Sequence, residues 1–227
     1  MKRRSVGGVA FDFYGTLVDV AAVAEACGRV VADPRGFCSA WRQKQLEYTF
    51  LRTCMGRHRD FWAVTSEALD WTLSAFDAVP TPRARKRLME AWLRPRPFPE
   101  TASLLGALKP RLPLAVLSNG SPRMLRLGLA SSGLRAYFSR VLSVESVGRY
   151  KPSPEVYRLA PERMGVPRGR ILFVSANPFD VMGATSYGFR VCWVNRDKTR
   201  LDPLGFRPDF VVESLSELPG LGVLPKA

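Results

Sequence analysis

The chain is poor in the features that assign a protein by composition alone. Of its 227 residues only four are cysteines, Cys27, Cys38, Cys54 and Cys192, and no two stand in CxxC spacing. Neither a metal knuckle nor a disulfide framework is expected, and a reducing compartment fits best. No apolar run approaches the roughly 18 residues of a membrane helix. Lys2, Arg3 and Arg4 precede apolar residues, but Asp12 interrupts that stretch before it becomes a signal-peptide core. The expectation is an unexported, cytoplasmic protein with no membrane partner. Internal repeats and low-complexity tracts are missing as well. Acidic residues are few, 20 against 34 Lys and Arg, for a net charge of +14. The basic residues are mostly Arg and run along the whole chain, with no RNP, zinc-finger or recognition-helix signature beside them. A dispersed, solvated surface whose positive field speeds capture of carboxylates is expected, rather than nucleic-acid binding.

What is present is apolar residue content of 46%, enough to bury a full core in one large domain or in a core with an insert. Val6 to Phe11 reads as a short buried strand, and Asp12 opens the turn Asp12-Phe13-Tyr14-Gly15-Thr16-Leu17 behind it. Helix-like stretches then gather over Val20 to Val31, Ser39 to Cys54 and Phe61 to Phe76, and Thr81-Pro82 reads as an N-cap with proline at the first helical position. In the second stretch Trp41, Tyr48, Leu51 and Met55 share one helix face and Arg42, Leu46 and Phe50 an adjoining one, so both faces are expected to be covered. The proline-rich Arg94 to Pro99 is a stiff return linker. Strand-like runs and helices alternate from about residue 100: Leu112 to Leu117, Ile171 to Val174, Val191 to Val194 and Phe210 to Val212, with Ser214 and Glu217 a possible capping box. This order points to an α/β fold with a helical insert.

In an open parallel sheet, ligands bind at the carboxyl ends of the strands. Asp12, Ser118, Asn119, Ser175, Asn177 and Asp180 all fall at such ends and are expected to converge. Each alone is also an ordinary turn or cap residue. A carboxylate carried out of a buried strand above a glycine turn is well placed as a nucleophile. An aspartyl-phosphate enzyme would carry a second Asp two positions on, where this chain has Tyr14.

Five segments together resemble the haloacid dehalogenase superfamily, and within it the type II L-2-haloacid dehalogenases. They are Phe11 to Leu17, Trp41-Arg42-Gln43-Lys44-Gln45-Leu46-Glu47-Tyr48-Thr49, Leu117-Ser118-Asn119-Gly120-Ser121-Pro122, Tyr150-Lys151-Pro152-Ser153-Pro154-Glu155-Val156-Tyr157 and Ser175-Ala176-Asn177-Pro178-Phe179-Asp180. The Trp-Arg-Gln-Lys-Gln stretch discriminates the dehalogenase branch. The resemblance implies a Rossmann-like parallel sheet core, residues 1–18 and 97–227, with helices on both faces and an inserted helical cap, residues 19–96. It implies displacement of halide from C2 of a small 2-halocarboxylate by Asp12, then hydrolysis of the resulting ester by water to the inverted 2-hydroxy acid. Thr16 would orient Asp12 and Lys151 would pair with it. Asp180, assisted by Ser175 and Asn177, would position or deprotonate the water, with Tyr157 in support near Lys151. Ser118 and Asn119 would hold the substrate carboxylate and Arg42 would face the departing halide, with Leu46, Phe61, Phe179 and Tyr14 lining the substrate site. Relatives commonly pair through the cap helices, so a homodimer is implied. Phe179 stands where the family usually has Trp and Ala176 where it has Ser, which bears on specificity more than on chemistry.

Three other readings remain open at this level. A Mg-dependent phosphatase would need the acid that Tyr14 replaces, and Asn177 thins the oxygen ligands for a hard cation, so no metal and no cofactor is expected. A hydrolase opening another bond beside a carboxylate, such as the ring of azetidine-2-carboxylate, would share the same residues. A basic nucleic-acid-binding protein would leave Asp12 and Asp180 incidental and would lose affinity steeply with salt.

Overall fold

Short, wholly apolar runs make the centre of the molecule, and the polar turns between them carry the chemistry outward. The computed structural model of the protein describes residues 5–224, apart from the side chains of residues 21 and 22. Lys2, Arg3 and Arg4 therefore lie outside the described residues. β1 is Gly8–Phe11, buried throughout, and β2 is the two-residue Val18–Asp19. Four helices follow: α1 Ala21–Cys27, α2 Pro34–Cys54, α3 Phe61–Ala75 and α4 Pro82–Ala91. β3, Arg96–Pro97, then pairs antiparallel with β2, Val18 opposite Pro97 and Asp19 opposite Arg96. Beyond it come α5 Thr101–Leu108, β4 Leu114–Ser118, α6 Pro122–Ser131, β5 Arg140–Ser143, α7 Pro154–Met164, β6 Ile171–Ser175, α8 Pro178–Tyr187, β7 Arg190–Val194 and β8 Phe210–Val212.

The strands other than β2 and β3 form one six-stranded sheet in the order β5-β4-β1-β6-β7-β8, parallel at every pairing. Strand order reverses around β1, which has β4 on one side and β6 on the other, so the crevice for a ligand opens at the end of β1. Register makes this concrete: Phe11 stands opposite Val116 and Val174, which brings Asp12 level with the last residues of β4 and β6. Helix starts share one chemistry. α2, α4, α6, α7 and α8 each begin with proline after Asp33, Thr81, Ser121, Ser153 or Asn177, a residue type that suits an N-cap ahead of a proline whose missing N–H costs nothing there.

Some expectations change. α2 starts at Pro34, capped by Asp33, a turn before the expected Ser39. Its buried line is Phe37, Trp41, Gln45 and Thr49, and the face that was expected to be covered is open at its end, Leu51 being 46% and Met55 61% exposed. Gln45 and Thr49 go inside because their polar atoms are met there: Gln45 Nε2 donates to Thr65 Oγ1 at 2.7 Å and Thr49 Oγ1 to the Leu46 carbonyl at 2.6 Å. The return linker is itself β3, and β5 was not foreseen. The capping box of Ser214 and Glu217 forms, but on a 3₁₀ helix, Leu215–Leu221. No helix among the described residues is long and apolar enough to cross a membrane.

Candidate active site

Asp12 leaves β1 into a turn that only glycine accommodates cheaply: Gly15 has φ +80° and its N–H donates to the Val18 carbonyl at 2.8 Å. That turn folds Thr16 back so that its hydroxyl donates to Asp12 Oδ2 at 3.0 Å while accepting the Ala176 N–H at 2.9 Å. The amide of Asn177 donates to the same Oδ2 at 2.7 Å and to the Tyr14 carbonyl at 3.2 Å. On the other oxygen, Lys151 Nζ donates to Oδ1 at 3.1 Å. Asp12 therefore enters the site with both carboxylate oxygens held.

Lys151 arrives on the segment between β5 and α7, and it is 1% exposed. Its backbone N–H donates to Asn119 Oδ1 at 3.0 Å. Its ammonium bridges Asp12 and Asp180, lying 2.8 Å from Asp180 Oδ2. A lysine this buried persists only when paired, and here it is paired twice. Asp180 sits at the third position of α8, wholly buried. Ser175 donates to its Oδ2 at 3.1 Å and Tyr157 to its Oδ1 at 2.8 Å. Tyr157 reaches it because Gly183 stands alongside; a Cβ there would lie 2.5 Å from the Tyr157 hydroxyl. Burial pushes the Asp180 carboxyl up to about 6, the Lys151 charge pulls it back and the Asp12 charge adds to the rise. Burial, followed by the Asp180 charge, raises the Tyr157 phenol, which stays protonated as a donor.

The β4 end contributes Ser118 and Asn119. Ser118 Oγ accepts the Gly120 N–H at 3.1 Å, which leaves its hydroxyl hydrogen to donate. Asn119 uses its carbonyl oxygen on Lys151, which orients its amide N–H₂ away from that contact. Above these, Arg42 projects from α2 and donates to Gln45 Oε1 at 2.5 Å. Its guanidinium carbon is 5.8 Å from the centroid of the Trp92 ring. Burial lowers its pKa, opposed by the nearby Asp12 carboxylate, and it remains a cation. Among the described residues Arg42 takes part in no ion pair. Tyr14 is buried and donates its hydroxyl to the Trp92 carbonyl at 3.0 Å.

Of the residues expected here, Asp12, Thr16, Lys151, Ser175, Asn177, Tyr157 and Asp180 form one hydrogen-bonded cluster, joined by Asn119 through Lys151. Asn177 serves two partners: its amide holds Asp12, and its backbone N–H donates to Ser175 Oγ, which in turn donates to Asp180. Phe61 opens α3 with its ring 5.9 Å from that of Tyr150, and Leu46 lies one turn beyond Arg42 on α2, half-buried. Phe179 packs edge-on to Phe50 at 5.5 Å and with it lines a cavity of about 530 Å³ that also touches Tyr150, Lys151 and Phe206. Two contributors went unseen in the sequence. Trp92 touches both Tyr14 and Arg42. Arg196, after β7, donates to the Gly15 and Thr16 carbonyls at 3.2 and 3.1 Å and so braces the Asp12 turn from 180 residues away. A tryptophan just ahead of the proline-rich return was the only available sign of the first; nothing local marked the second.

Known proteins resemble this chain over most of its length. A family described as haloacid dehalogenase-like hydrolase matches residues 6–188. (S)-2-haloacid dehalogenase 2 of Pseudomonas sp. strain CBS-3 is 41% identical over 221 residues, 96% of each chain. Haloacetate dehalogenase H-2 of Moraxella sp. strain B is 42% identical, covering 92% of this chain and 94% of that protein. The L-2-haloacid dehalogenase of Xanthobacter autotrophicus, solved with chloropropionic acid covalently bound, superimposes with a TM-score of 0.90 at 39% identity, over 95% of this chain and 98% of that one.

Proposed function

The chain belongs to the haloacid dehalogenase-like hydrolases, and from that premise we propose that it hydrolyses L-2-haloalkanoic acids to D-2-hydroxy acids. The observation that carries this reading is the row Asp12, Lys151, Asp180, with one ammonium holding two buried carboxylates. An Asp12 oxygen attacks C2 of the substrate from the side opposite the halogen. The bond from oxygen to carbon forms, the carbon–halogen bond breaks and the halide departs with its electron pair, leaving an ester with inverted configuration. Water then attacks the ester carbonyl of Asp12. Asp180, as carboxylate, takes the proton, and the donors Thr16, Asn177 and Lys151 meet the charge that develops on the former carboxylate oxygens. The alkoxide leaves with a proton as the hydroxy acid, and Asp12 is restored. Ser118 and the Asn119 amide hold the substrate carboxylate, and Arg42 meets the halide. Leu46, Phe61, Phe179 and Tyr14 wall the site.

A phosphatase reading finds little support: Tyr14 gives its hydroxyl proton to a backbone carbonyl, and an ammonium lies between the two carboxylates that would have to share a cation. We further propose that residues 19–96 act as a cap on a core of residues 1–18 and 97–227, since β2 and β3 tie the two crossings together. Four free cysteines favour a cytoplasmic location. Exposed Leu51, Met55 and Trp71 on α2 and α3 favour a homodimer through the cap, which sedimentation velocity measures directly.

The test is halide release from L- and D-2-chloropropionate, assayed separately with EDTA present. Release from the L-form alone is expected. Release from neither, with opening of azetidine-2-carboxylate instead, would move the reaction to another bond beside a carboxylate.

A further inference from the structure

Trp92 caps the C-terminal end of α4, and its indole is 1% exposed. Its Nε1–H has no hydrogen-bond partner, a state shared among the described residues only by His58 Nδ1. A buried donor left without an acceptor carries its whole desolvation penalty, and native interiors rarely keep one without a reason. The neighbours of this donor supply the reason. The Arg42 guanidinium lies 5.8 Å from the ring centroid, and the rings of Tyr14 and Trp41 pack edge-on at 5.8 and 5.6 Å. The Tyr14 hydroxyl gives its hydrogen to the Trp92 carbonyl and does not accept from the indole N–H. An indole N–H and a guanidinium are both donors only. In the same aromatic enclosure the indole N–H has no acceptor and the cationic guanidinium has Gln45 Oε1, so an anion suits them both.

We propose that Trp92 is a catalytic residue on the leaving-group side, its Nε1–H donating a hydrogen bond to the halide as it leaves C2 beside Arg42. This rests on the dehalogenase reading. In that step the Asp12 oxygen bonds to C2, the carbon–halogen bond breaks and the halide takes the bonding pair. No proton moves; the N–H and the guanidinium meet the new charge. The substrate carboxylate is the other anion at hand, but its donors are at the end of β4, and the partnerless indole belongs to the Arg42 side. Aromatic walls also suit a large, weakly hydrated halide better than a carboxylate.

Trp92→Phe keeps an aromatic ring beside Arg42 and removes the N–H together with part of the ring volume. On the full chain, the inhibition constants of bromide and chloride are expected to rise roughly tenfold, while that of propionate stays within about twofold. The kcat for 2-chloropropionate falls more than that for 2-bromopropionate, since the poorer leaving group depends more on the donor. Unchanged halide inhibition, or an equal rise for propionate, overturns the role of Trp92. Absence of halide release from the unaltered enzyme would instead remove the dehalogenase reading itself, so the two failures are distinct. A second measurement is independent of how the variant folds: the indole ¹⁵N–¹H resonance of Trp92 in the unaltered protein shifts on adding bromide and not on adding propionate, and a resonance indifferent to bromide overturns the proposal.

Discussion

On the core side of the site, Asp12, Thr16, Lys151, Ser175, Asn177, Tyr157 and Asp180 are joined by hydrogen bonds of 2.7 to 3.1 Å. On the helical side, among the described residues, Arg42 hydrogen-bonds Gln45 alone and Trp92 Nε1 has no partner. The first group is complete without a ligand; the second is not. On the mechanism proposed above, the difference follows what each must do. A nucleophile and a base have to be aimed before substrate arrives, so their lone pairs are already directed. A group that meets a charge created by the reaction must keep its donors unpaired until then. The sheet supplies the rigid half, and a pair of helices holds the half that waits.

The widest separation comes from within the complete half. Asp12→Asn is expected to lower halide release by roughly four orders of magnitude or more, because on that mechanism nothing else forms the ester. Asp180→Asn leaves the first step intact: each site releases halide once and stalls, and mass spectrometry finds the substrate's carbon skeleton on Asp12. Steady turnover falls by about 10²- to 10⁴-fold, the share typical of a general base. Multiple turnovers at full rate would place the base elsewhere.

Unfolding then sets one half against the other. Lys151→Met strands two buried carboxylates and is expected to cost about 3–5 kcal/mol of stability, measured by denaturant titration. Arg42→Met breaks no ion pair and should stay within about 1 kcal/mol of the parent, while turnover drops by about 10²- to 10³-fold. Equal destabilisation by the two would dissolve the distinction between them.

The smallest effect is on pH. Asp180 has a carboxyl pushed up to about 6 by burial, with Lys151 opposing and Asp12 adding. On the mechanism proposed above it acts ionised in the hydrolysis step, so kcat rises with pH through about 6. Stability runs the other way: the native state holds a proton that the unfolded chain has lost, so this contribution is full below 3.8 and gone once pH has risen through about 6. The Tyr157 hydroxyl bonds the ionised form and lowers that pKa. Tyr157→Phe therefore moves the acid limb of the rate profile to higher pH, and a limb that stays put would show that another group sets it.

Much of this was legible from residues one after another. Asp12, Ser118 and Ser175 end apolar runs, and a parallel sheet brings such ends together, so the cluster could be named before its distances were known. The resemblance supplied Lys151, which sits in a turn where a lysine is ordinarily solvated. Contacts between distant segments were hidden. Gln45 and Thr49 look like surface residues because their buried partners lie on α3 and on their own backbone, and Arg196 braces the Asp12 turn across the whole length of the core. β5 escaped notice because its four residues include Arg140 and Ser143 and only Leu142 is fully buried. The direction of the Asn177 amide depends on where β1 and β6 align, which no local pattern encodes.

The small ribbon of β2 and β3 has a consequence for how such a molecule can be rebuilt. Because Val18 faces Pro97 and Asp19 faces Arg96, the chain leaves and rejoins the sheet domain one strand spacing apart. Any excursion whose ends meet at that spacing can be spliced in there without disturbing the strand that bears Asp12. Length is a weak constraint on the graft, since doubling a flexible loop costs only about 0.6 kcal/mol of closure entropy. Recombination at two adjacent residues would thus exchange the helical segment, Arg42 and Trp92 with it, and leave the turn of Asp12 unchanged.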